Sequence, residues 1–313
     1  MESLRHIFGP LPSRRLGRSL GVDIIPKKTC SLDCVYCELG PTDKRALRRM
    51  EYIHAADVID EVRTALSRPE RIDTITFSGS GEPTLNSSLG TMIHMIKGFT
   101  SIPVAVLTNG TLMHLPEVRR DLMEADIVLP SLDAATEKSF EMVNRPHPQL
   151  RLKNMVEGMK LFRREYRGQL WLEILLVKGV NDTDVEISAL KRIVDEINPD
   201  KIQLNTVVRP PAMADAHPVS RPVLETICSL LGSNCEIIGC AEKNELPLST
   251  HIEMDRVLSL LRHRAMTITE LSSSLGAPPG IIKRMLDELE DQDLIHSFEF
   301  DGRHFFEASK IAV

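Results

Sequence analysis

Cys30-Ser31-Leu32-Asp33-Cys34-Val35-Tyr36-Cys37 brings three thiols into one short segment of a 313-residue chain. A single loop with this spacing can wrap one inorganic cluster, and thiolates are soft ligands suited to iron and sulfide. A [4Fe–4S] cluster held by only three protein ligands keeps one iron open to a small molecule. A structural zinc site is the alternative, but it normally has a fourth Cys or His, and the first candidate after Cys37 is His54. The segment therefore predicts an iron–sulfur site with one open iron.

The composition around this segment is that of an ordinary globular protein, with 26% charged and 42% hydrophobic residues. The length predicts one large domain and one small domain. The first fifteen residues lack a signal-peptide pattern, and no run is apolar enough for a membrane helix, so we expect a cytoplasmic protein without a membrane partner. In that compartment cysteines are more often thiols or ligands than disulfides. Basic residues are concentrated near the cysteine segment, where residues 1–28 carry six Lys or Arg and two Asp or Glu.

Six apolar, β-branched runs alternate with amphipathic stretches, which is the pattern of repeated strand–helix units. The runs are 20–25, 72–77, 104–107, 126–129, 170–177 and 202–208, and the helical stretches are 55–67, 86–98, 113–124, 150–165 and 183–197. This order predicts an α/β fold with a parallel sheet curled into a partial (β/α)6 barrel. Polar segments come directly after the strands at 79–83, 108–110, 131–133, 178–181 and 209–211. In such folds they share the carboxyl-terminal rim, where active sites lie.

The last part of the chain predicts a separate module. Residues 1–240 form the predicted barrel domain with its basic N-terminal extension, 241–251 a linker, and 252–313 the module. Helices are predicted at 252–264, 267–275 and 278–290, followed by a hairpin with a tight turn at Asp301-Gly302. Three helices and a hairpin are the pattern of a winged helix-turn-helix. Its expected recognition helix has two basic and four acidic residues, which makes DNA an improbable partner because phosphate neutralisation dominates that affinity.

The cysteine segment resembles the CxxxCxxC motif of the radical S-adenosylmethionine (SAM) superfamily, with the aromatic residue Tyr36 before the last cysteine. The similarity extends over about residues 8–211. It implies a partial (β/α)6 barrel, a [4Fe–4S] cluster held by Cys30, Cys34 and Cys37, and chelation of the SAM amino and carboxylate groups by the free iron. It also implies reductive cleavage of SAM to a 5′-deoxyadenosyl radical that abstracts a hydrogen atom from the substrate.

The resemblance also assigns cofactor contacts. The superfamily has a GGEP-like segment after the next strand, and here the corresponding residues are Gly79, Ser80, Gly81, Glu82 and Pro83, with Ser80 in place of the first glycine. Glu82 is expected to accept a hydrogen bond from the SAM ammonium. The remaining expected cofactor-binding residues are Tyr36, Asn109, Ser131, Asp133 and Glu173. A helix cap or turn is the alternative role for Asn109, Ser131 and Asp133.

The N-terminal residues 8–26 resemble more narrowly a group of iron–sulfur oxidoreductases related to the wyosine-synthesis enzymes that act on transfer RNA. Those enzymes carry further N-terminal cysteines for a second cluster, whereas this chain has none before Cys30. Cys228, Cys235 and Cys240 are the remaining cysteines, and either an auxiliary cluster or ordinary core packing is compatible with their spacing.

Substrate contacts are expected at the ends of the last two barrel strands, opposite the cluster loop. The candidates are Lys178, Asn181, Gln203, Asn205 and Arg209. Arg209 suits a carboxylate or phosphate, so an anionic substrate, an RNA or a protein is expected. The electron source would be a one-electron reductant of the flavodoxin or ferredoxin type. Three other functions compatible with the sequence are an activase that installs a radical on a partner protein, a transfer-RNA-modifying enzyme, and an iron–sulfur transcriptional sensor.

Overall fold

The β-branched runs form strands of one eight-stranded sheet in the computed structural model, which describes residues 4–42, 45–238 and 254–309. Their order across the sheet is their order along the chain. The strands are β1 (Ile7–Ser13), β2 (Gly17–Val22), β3 (Thr74–Phe77), β4 (Val104–Thr108), β5 (Ile127–Pro130), β6 (Gln169–Leu176), β7 (Lys201–Thr206) and β8 (Cys235–Ile237). β1 is antiparallel to β2, and every later pair is parallel.

Seven helices connect these strands because their apolar residues recur on one face. They are α1 (Ala55–Leu66), α2 (Leu89–Lys97), α3 (Pro116–Leu122), α4 (Glu137–Val143), α5 (Leu152–Glu165), α6 (Asp184–Ile197) and α7 (Arg221–Leu231). In α6 the Thr183 hydroxyl accepts a hydrogen bond from the Glu186 amide and begins the helix, and Asn198 in a left-handed conformation ends it. The predicted alternation of strands and helices is thus confirmed.

The two faces of the sheet have different neighbours. Val104, Val106 and Val128 point outward and share one large core with the helices. Ala105 and Leu129 point to the other face, which we call the inner face, where Leu16 packs against them. Leu16 belongs to the turn between β1 and β2, so this hairpin covers the inner face.

Three elements were not predicted. β1 contains Gly9, Pro10 and Pro12, which disfavour a strand in the sequence, but it is an edge strand and tolerates proline. β8 and α4 are only three and seven residues long, too short for a periodic signal.

The C-terminal module contains α8 (Met254–His263), α9 (Ile268–Leu275), α10 (Pro279–Asp291), β9 (Ile295–Phe300) and β10 (Arg303–Ala308). A capping box between Thr267 and Glu270 begins α9. β9 and β10 pair across Asp301 and Gly302, both with positive φ, as expected for a tight hairpin turn. The three predicted helices and the hairpin are confirmed, while the predicted linker 241–251 lies outside the described residues.

The module packs directly against the barrel. Leu11 of β1 belongs to the apolar core of the module, and the ring of Phe8 lies 4.2 Å from that of His263. Arg303 of β10 donates to the Val208 carbonyl at the end of β7. The module therefore covers the β1 edge of the sheet and reaches the carboxyl-terminal rim. None of the described helices has the length and apolarity needed to cross a bilayer.

Candidate functional site

The loop after β2 carries the three cysteines and is held by backbone hydrogen bonds from several sides. The amides of Asp33 and Val35 donate to the carbonyls of Asn144 and Val143, and the amide of Ala46 donates to the Cys30 carbonyl. All three cysteines are partly buried and unpaired with one another. The C-terminal end of α4 thus supports the cysteine loop.

Each of the three sulfurs receives a hydrogen bond from a nitrogen donor. Asn109 Nδ2 lies 3.5 Å from the Cys30 sulfur, Asn144 Nδ2 3.3 Å from that of Cys34, and Lys28 Nζ 3.4 Å from that of Cys37. Donors placed on sulfur stabilise thiolate charge and tune the potential of a cluster. Three thiols in one loop, each of which accepts a hydrogen bond from a nitrogen atom, are a set of ligands that suits an iron–sulfur cluster.

The electrostatics of these thiols also fit a cluster. Burial, followed by the negative charge of Glu82, raises the pKa of Cys30 to about 12, and burial raises the pKa of Cys34 as well. Thiols this difficult to ionise become thiolates when a cationic metal centre binds them. Among the described residues no three His, Cys, Asp or Glu side chains are placed to hold a single metal ion.

The segment 78–83 after β3 lies against the start of the cysteine loop. A Cβ atom on Gly81 would overlap the Thr29 carbonyl oxygen, and one on Gly79, whose φ is +141°, would overlap Asp23. The Ser80 amide and hydroxyl donate to Asp23, and the Ser80 carbonyl accepts from the Lys28 amide at 2.7 Å. The glycines are therefore needed for close packing of this segment on the cysteine loop.

Glu82 is 1% exposed, and its carboxylate is occupied by internal donors. Oε1 accepts from the Thr84 amide at 3.0 Å and from the hydroxyls of Thr84 and Thr108 at 2.6 Å each. Oε2 accepts from the Asn109 amide at 2.6 Å. Burial raises the pKa of Glu82, although these four hydrogen bonds oppose the shift. Glu82 thus joins the start of the short helix Pro83–Leu85 to the end of β4, and only Oε2 keeps room for another donor.

Asn109 and Ser131 follow β4 and β5 at the rim, as predicted. The Asn109 side chain donates to the Ser31 hydroxyl at 2.9 Å and accepts from Thr111, so it ties β4 to the cysteine loop. Ser131 forms an isolated parallel bridge with Glu173. Asn109 therefore lies beside the cysteine loop, and Ser131 lies beside Glu173.

Tyr36 and Asp133 are in direct contact. The Tyr36 hydroxyl donates to Asp133 Oδ2, which also accepts from Asn144 Nδ2 at 2.8 Å, and the Leu175 amide donates to Oδ1 at 2.9 Å. Burial raises the pKa of Asp133 to about 6, against the hydrogen bonds from Tyr36 and Asn144. Since Asn144 also contacts the Cys34 sulfur, one amide joins this acid to the cysteine loop.

Glu173 lies on the inner face and is paired with a residue of the β1–β2 turn. Arg15 binds its carboxylate through two nitrogens, with Nη1 2.8 Å from Oε2, and Asn205 Nδ2 donates to Oε1 at 3.0 Å. Burial raises the pKa of Glu173, but the Arg15 charge and its hydrogen bonds outweigh that effect and the net shift is downward. Glu173 is therefore an ionised group already bound to a guanidinium.

The structure places the five predicted substrate residues in different environments. Lys178 is exposed, while Asn181 is fully buried and bonds to the backbone of Asp133, Leu175 and Val177. Gln203 donates to Glu236 at 3.1 Å, but its own carbonyl oxygen is buried without a partner. Arg209 is 6% exposed and binds Glu38 at 3.2 Å and Glu270 at 2.7 Å.

These positions change two expectations. Asn181 fixes the loop after β6 and has no free polar atom for a ligand. Arg209 uses both terminal nitrogens to join the cysteine loop to α9, so it is not a freely available cation at the rim.

Sequence reasoning did not select three residues that complete the site, namely Lys28, Asn144 and Glu38. Lys28 and Glu38 flank the cysteine motif, so proximity in sequence was an available signal. Asn144 acts from a distant segment, and nothing in the linear pattern distinguishes it from an ordinary helix end.

Cys228 and Cys235 form a disulfide between α7 and β8, and they lie at the edge of the large core. Their pairing differs from the expected free thiols and from an auxiliary cluster on these residues. It follows from the short connection between α7 and the adjacent β8, which brings the two Cα atoms within 5.5 Å. Cys240 lies outside the described residues.

Comparisons with known proteins agree with this geometry. The family model of the Radical SAM superfamily matches residues 24–190. The UPF0026 protein MJ1312 of Methanocaldococcus jannaschii is 35% identical over 96% of this chain and 94% of its own length. A Brachyspira hyodysenteriae protein named GTPase Obg is 40% identical over 95% of this chain, which spans only 44% of that relative.

A solved structure shares the fold. The crystal structure of a radical SAM methyltransferase from Sphaerobacter thermophilus superposes with a TM-score of 0.55 and 19% identity, covering 70% of this chain and 65% of that one. Members of the superfamily are enzymes that use a [4Fe–4S] cluster and SAM. With the three-cysteine loop placed after the first parallel strand of the sheet, this chain belongs to the radical S-adenosylmethionine superfamily.

Proposed function

We propose that this enzyme binds a [4Fe–4S] cluster through Cys30, Cys34 and Cys37 and uses it with SAM to abstract a hydrogen atom from an organic substrate. The observation that carries the proposal is the set of three partly buried thiols in one loop, each with a nitrogen donor on its sulfur. When bound, the cluster and SAM supply one-electron cleavage of the sulfonium bond, which gives methionine and a 5′-deoxyadenosyl radical that takes a hydrogen atom from the substrate. The electron comes from an external one-electron reductant.

The chain's own residues then have distinct tasks. Asn109, Asn144 and Lys28 orient the thiolates and stabilise their charge. Glu82, Asn109 and Asp133 contact the cysteine loop, and Ser131 lies beside Glu173, so polar groups of SAM would find carboxylate and amide partners there. Leu16, Ala105 and Leu129 fill the inner face with apolar side chains, which excludes water from the region where a radical would form.

We assign the C-terminal module to the winged helix-turn-helix class, because three helices are followed by a paired hairpin. α10, its expected recognition helix, has four acidic residues against two basic ones, so a role in substrate or partner contact suits it better than DNA binding. The narrower resemblance to the wyosine-synthesis enzymes stays a prediction.

The experiment that tests the function uses anaerobically purified protein reduced with dithionite in the presence of SAM. Wild-type protein should contain about four irons per chain, as one such cluster requires, and should form 5′-deoxyadenosine. Cys34→Ala should lose the cluster and the product together, whereas the matched control Cys240→Ala should keep both. Product formation by the Cys34→Ala protein, or no product from iron-loaded wild type, would exclude the proposed function.

A further inference from the structure

The three sulfurs of the cysteine loop have unequal electrostatic surroundings. Among the described residues, the nitrogen donors on these sulfurs are two neutral asparagine amides and one lysine ammonium. The ammonium belongs to Lys28, whose Nζ lies 3.4 Å from the sulfur of Cys37. A lysine ammonium carries a full positive charge, whereas an amide N–H group is only a dipole. Cys37 is therefore in contact with a cation, and the other two sulfurs are in contact with neutral donors.

Each asparagine donor is itself bonded to a buried carboxyl group. The Asn109 backbone amide donates to Glu82 Oε2 at 2.6 Å, and Asn144 Nδ2 donates to Asp133 Oδ2 at 2.8 Å. Both acids are buried. The sulfurs that these asparagines contact therefore have an acidic group just beyond the donor, and Lys28 supplies the opposite charge at the third sulfur.

The backbone holds Lys28 in place on the cysteine loop. Its φ of +63° is in the left-handed region, which residues with a side chain seldom adopt. The Lys28 amide donates to the Ser80 carbonyl at 2.7 Å, and the Thr29 amide donates to the Pro26 carbonyl at 3.0 Å. The ammonium also donates to the Gly40 carbonyl, beyond the last cysteine. Unfavourable backbone conformations persist where the surroundings enforce them, and they are concentrated at functional sites.

The charge of Lys28 has a direct consequence for electron uptake by a bound cluster. Reduction adds one electron to the cluster, while no bond breaks and no proton moves. A [4Fe–4S] cluster with three thiolates is already anionic, so nearby carboxylates oppose the added electron and a nearby cation favours it. Net charge and hydrogen bonds to the sulfurs are known determinants of cluster potentials. Lys28 therefore stabilises the reduced state more than the oxidised state.

We propose that Lys28 is a positioning residue whose positive charge, placed on Cys37, raises the reduction potential of the cluster against the effect of Glu82 and Asp133. The proposal rests on the proposed function, since it concerns the cluster assigned there. All three nitrogen donors orient the thiolates, but only the charge of Lys28 shifts the potential in this direction. The residue thereby controls how readily an external one-electron reductant delivers its electron.

The test is an anaerobic redox titration of full-length, cluster-loaded protein without SAM, in which the [4Fe–4S]⁺ electron paramagnetic resonance signal is measured at each applied potential. Lys28→Met removes the charge and the donor, and Lys28→Gln removes the charge but keeps an N–H group. In both variants the ratio of reduced to oxidised cluster at a fixed potential should fall by about tenfold or more, a shift of about 59 mV to more negative potential for one electron.

Two variants serve as controls for the charge and its location. Lys28→Arg keeps the positive charge and should keep a potential close to that of wild type. Lys27→Met removes the same charge from the neighbouring, exposed lysine and should also leave the potential close to that of wild type. The iron content of every variant is measured alongside the potential.

An unchanged potential in Lys28→Met and Lys28→Gln, with wild-type iron content, would overturn the proposal. An equal shift in Lys27→Met would do the same, because any nearby charge would then suffice. If Lys28→Met alone loses iron, the potential of Lys28→Gln decides the question; loss of iron from both would assign Lys28 to building the loop and reject the proposal. Absence of a cluster from wild-type protein would instead refute the proposed function, so the two failures are distinguishable.

Discussion

At the residue scale, the motif residues have structural tasks that their sequence pattern alone did not reveal. The spacing of Cys30, Cys34 and Cys37 predicted a shared loop, and the thiols lie in one. The glycines and Glu82 were expected to face the cofactor, yet Gly81 packs on Thr29 and Glu82 accepts four internal hydrogen bonds. A pattern indicates which side chains belong to a site, whereas their partners come from segments far away in sequence.

Glu82→Gln tests two roles of the Glu82 carboxylate, namely joining two segments of the chain by hydrogen bonds and binding the SAM ammonium. The amide nitrogen of Gln cannot accept the hydrogen bonds that one of the carboxylate oxygens now receives, so a buried donor loses its partner. We expect a loss of about 1–3 kcal/mol in the free energy of unfolding and a roughly ten- to hundredfold weaker affinity for SAM, with the iron content unchanged. Chemical denaturation and SAM titration measure the two effects separately.

Thr84→Val provides a comparison, because it removes one hydroxyl donor to Glu82 and keeps the charge. It should lower stability with little change in SAM affinity. If Glu82→Gln lowers stability but binds SAM like wild type, Glu82 only joins two segments and has no role toward the cofactor.

At the scale of elements, strands and helices with clear periodicity were predictable, whereas their contacts were not. α5 and α6 present apolar residues at helical spacing and were predicted within a few residues. α9 is joined to the cysteine loop through Arg209, which binds Glu38 and forms an ion pair with Glu270, a residue 61 positions away in sequence. Pairings over such separations leave no periodic signal in the sequence.

The Glu270–Arg209 ion pair gives the protein a specific acid sensitivity. Burial raises the pKa of Glu270. The charge of Arg209 and the hydrogen bonds from the Thr267 amide and from Arg209 lower it by more, so the net shift of the pKa is downward. The contribution to stability is therefore fully present above the ordinary carboxyl pKa of 4.5 and is lost as the pH falls through the lowered value.

Glu270→Gln should lower the free energy of unfolding at pH 7 by an amount on the order of 2 kcal/mol. The difference from wild type should shrink as the pH falls from 4.5 toward the lowered pKa of Glu270, because the carboxyl of the unfolded and then of the folded wild-type protein takes up a proton. Thermal unfolding of both proteins from pH 7 to pH 3.5 or so measures this convergence, with the exposed pair variant Glu225→Gln as the control. A difference that stays constant across this range would mean that the charge of Glu270 is unimportant.

At the scale of the whole molecule, the order of the predicted elements could be inferred from the sequence, but the contacts by which the module stabilises the barrel could not. The order of predicted strands and helices along the chain predicted a barrel followed by a separate module. In the structure Leu11 and Phe8 of β1 are covered by the module, and Arg209 and Val208 are bound by Glu270 and Arg303. The two parts therefore share a core and polar contacts, and we expect removal of the module to destabilise the barrel.

A chain shortened to end at Ile238 tests this expectation. Without the module, the apolar side chains of β1 become exposed and Arg209 loses one of its two partners. We expect a lower melting temperature and aggregation, compared with a control chain that ends at Ser309. A shortened chain that stays monomeric with an unchanged melting temperature would show that the barrel is stable by itself.

The central claim is that an open iron of the cluster on Cys30, Cys34 and Cys37 binds SAM, and electron paramagnetic resonance tests it most directly. The dithionite-reduced protein should give a [4Fe–4S]⁺ signal that changes shape when SAM is added, because the cofactor coordinates the cluster itself. A reduced [4Fe–4S]⁺ signal that is identical with and without saturating SAM would contradict the claim.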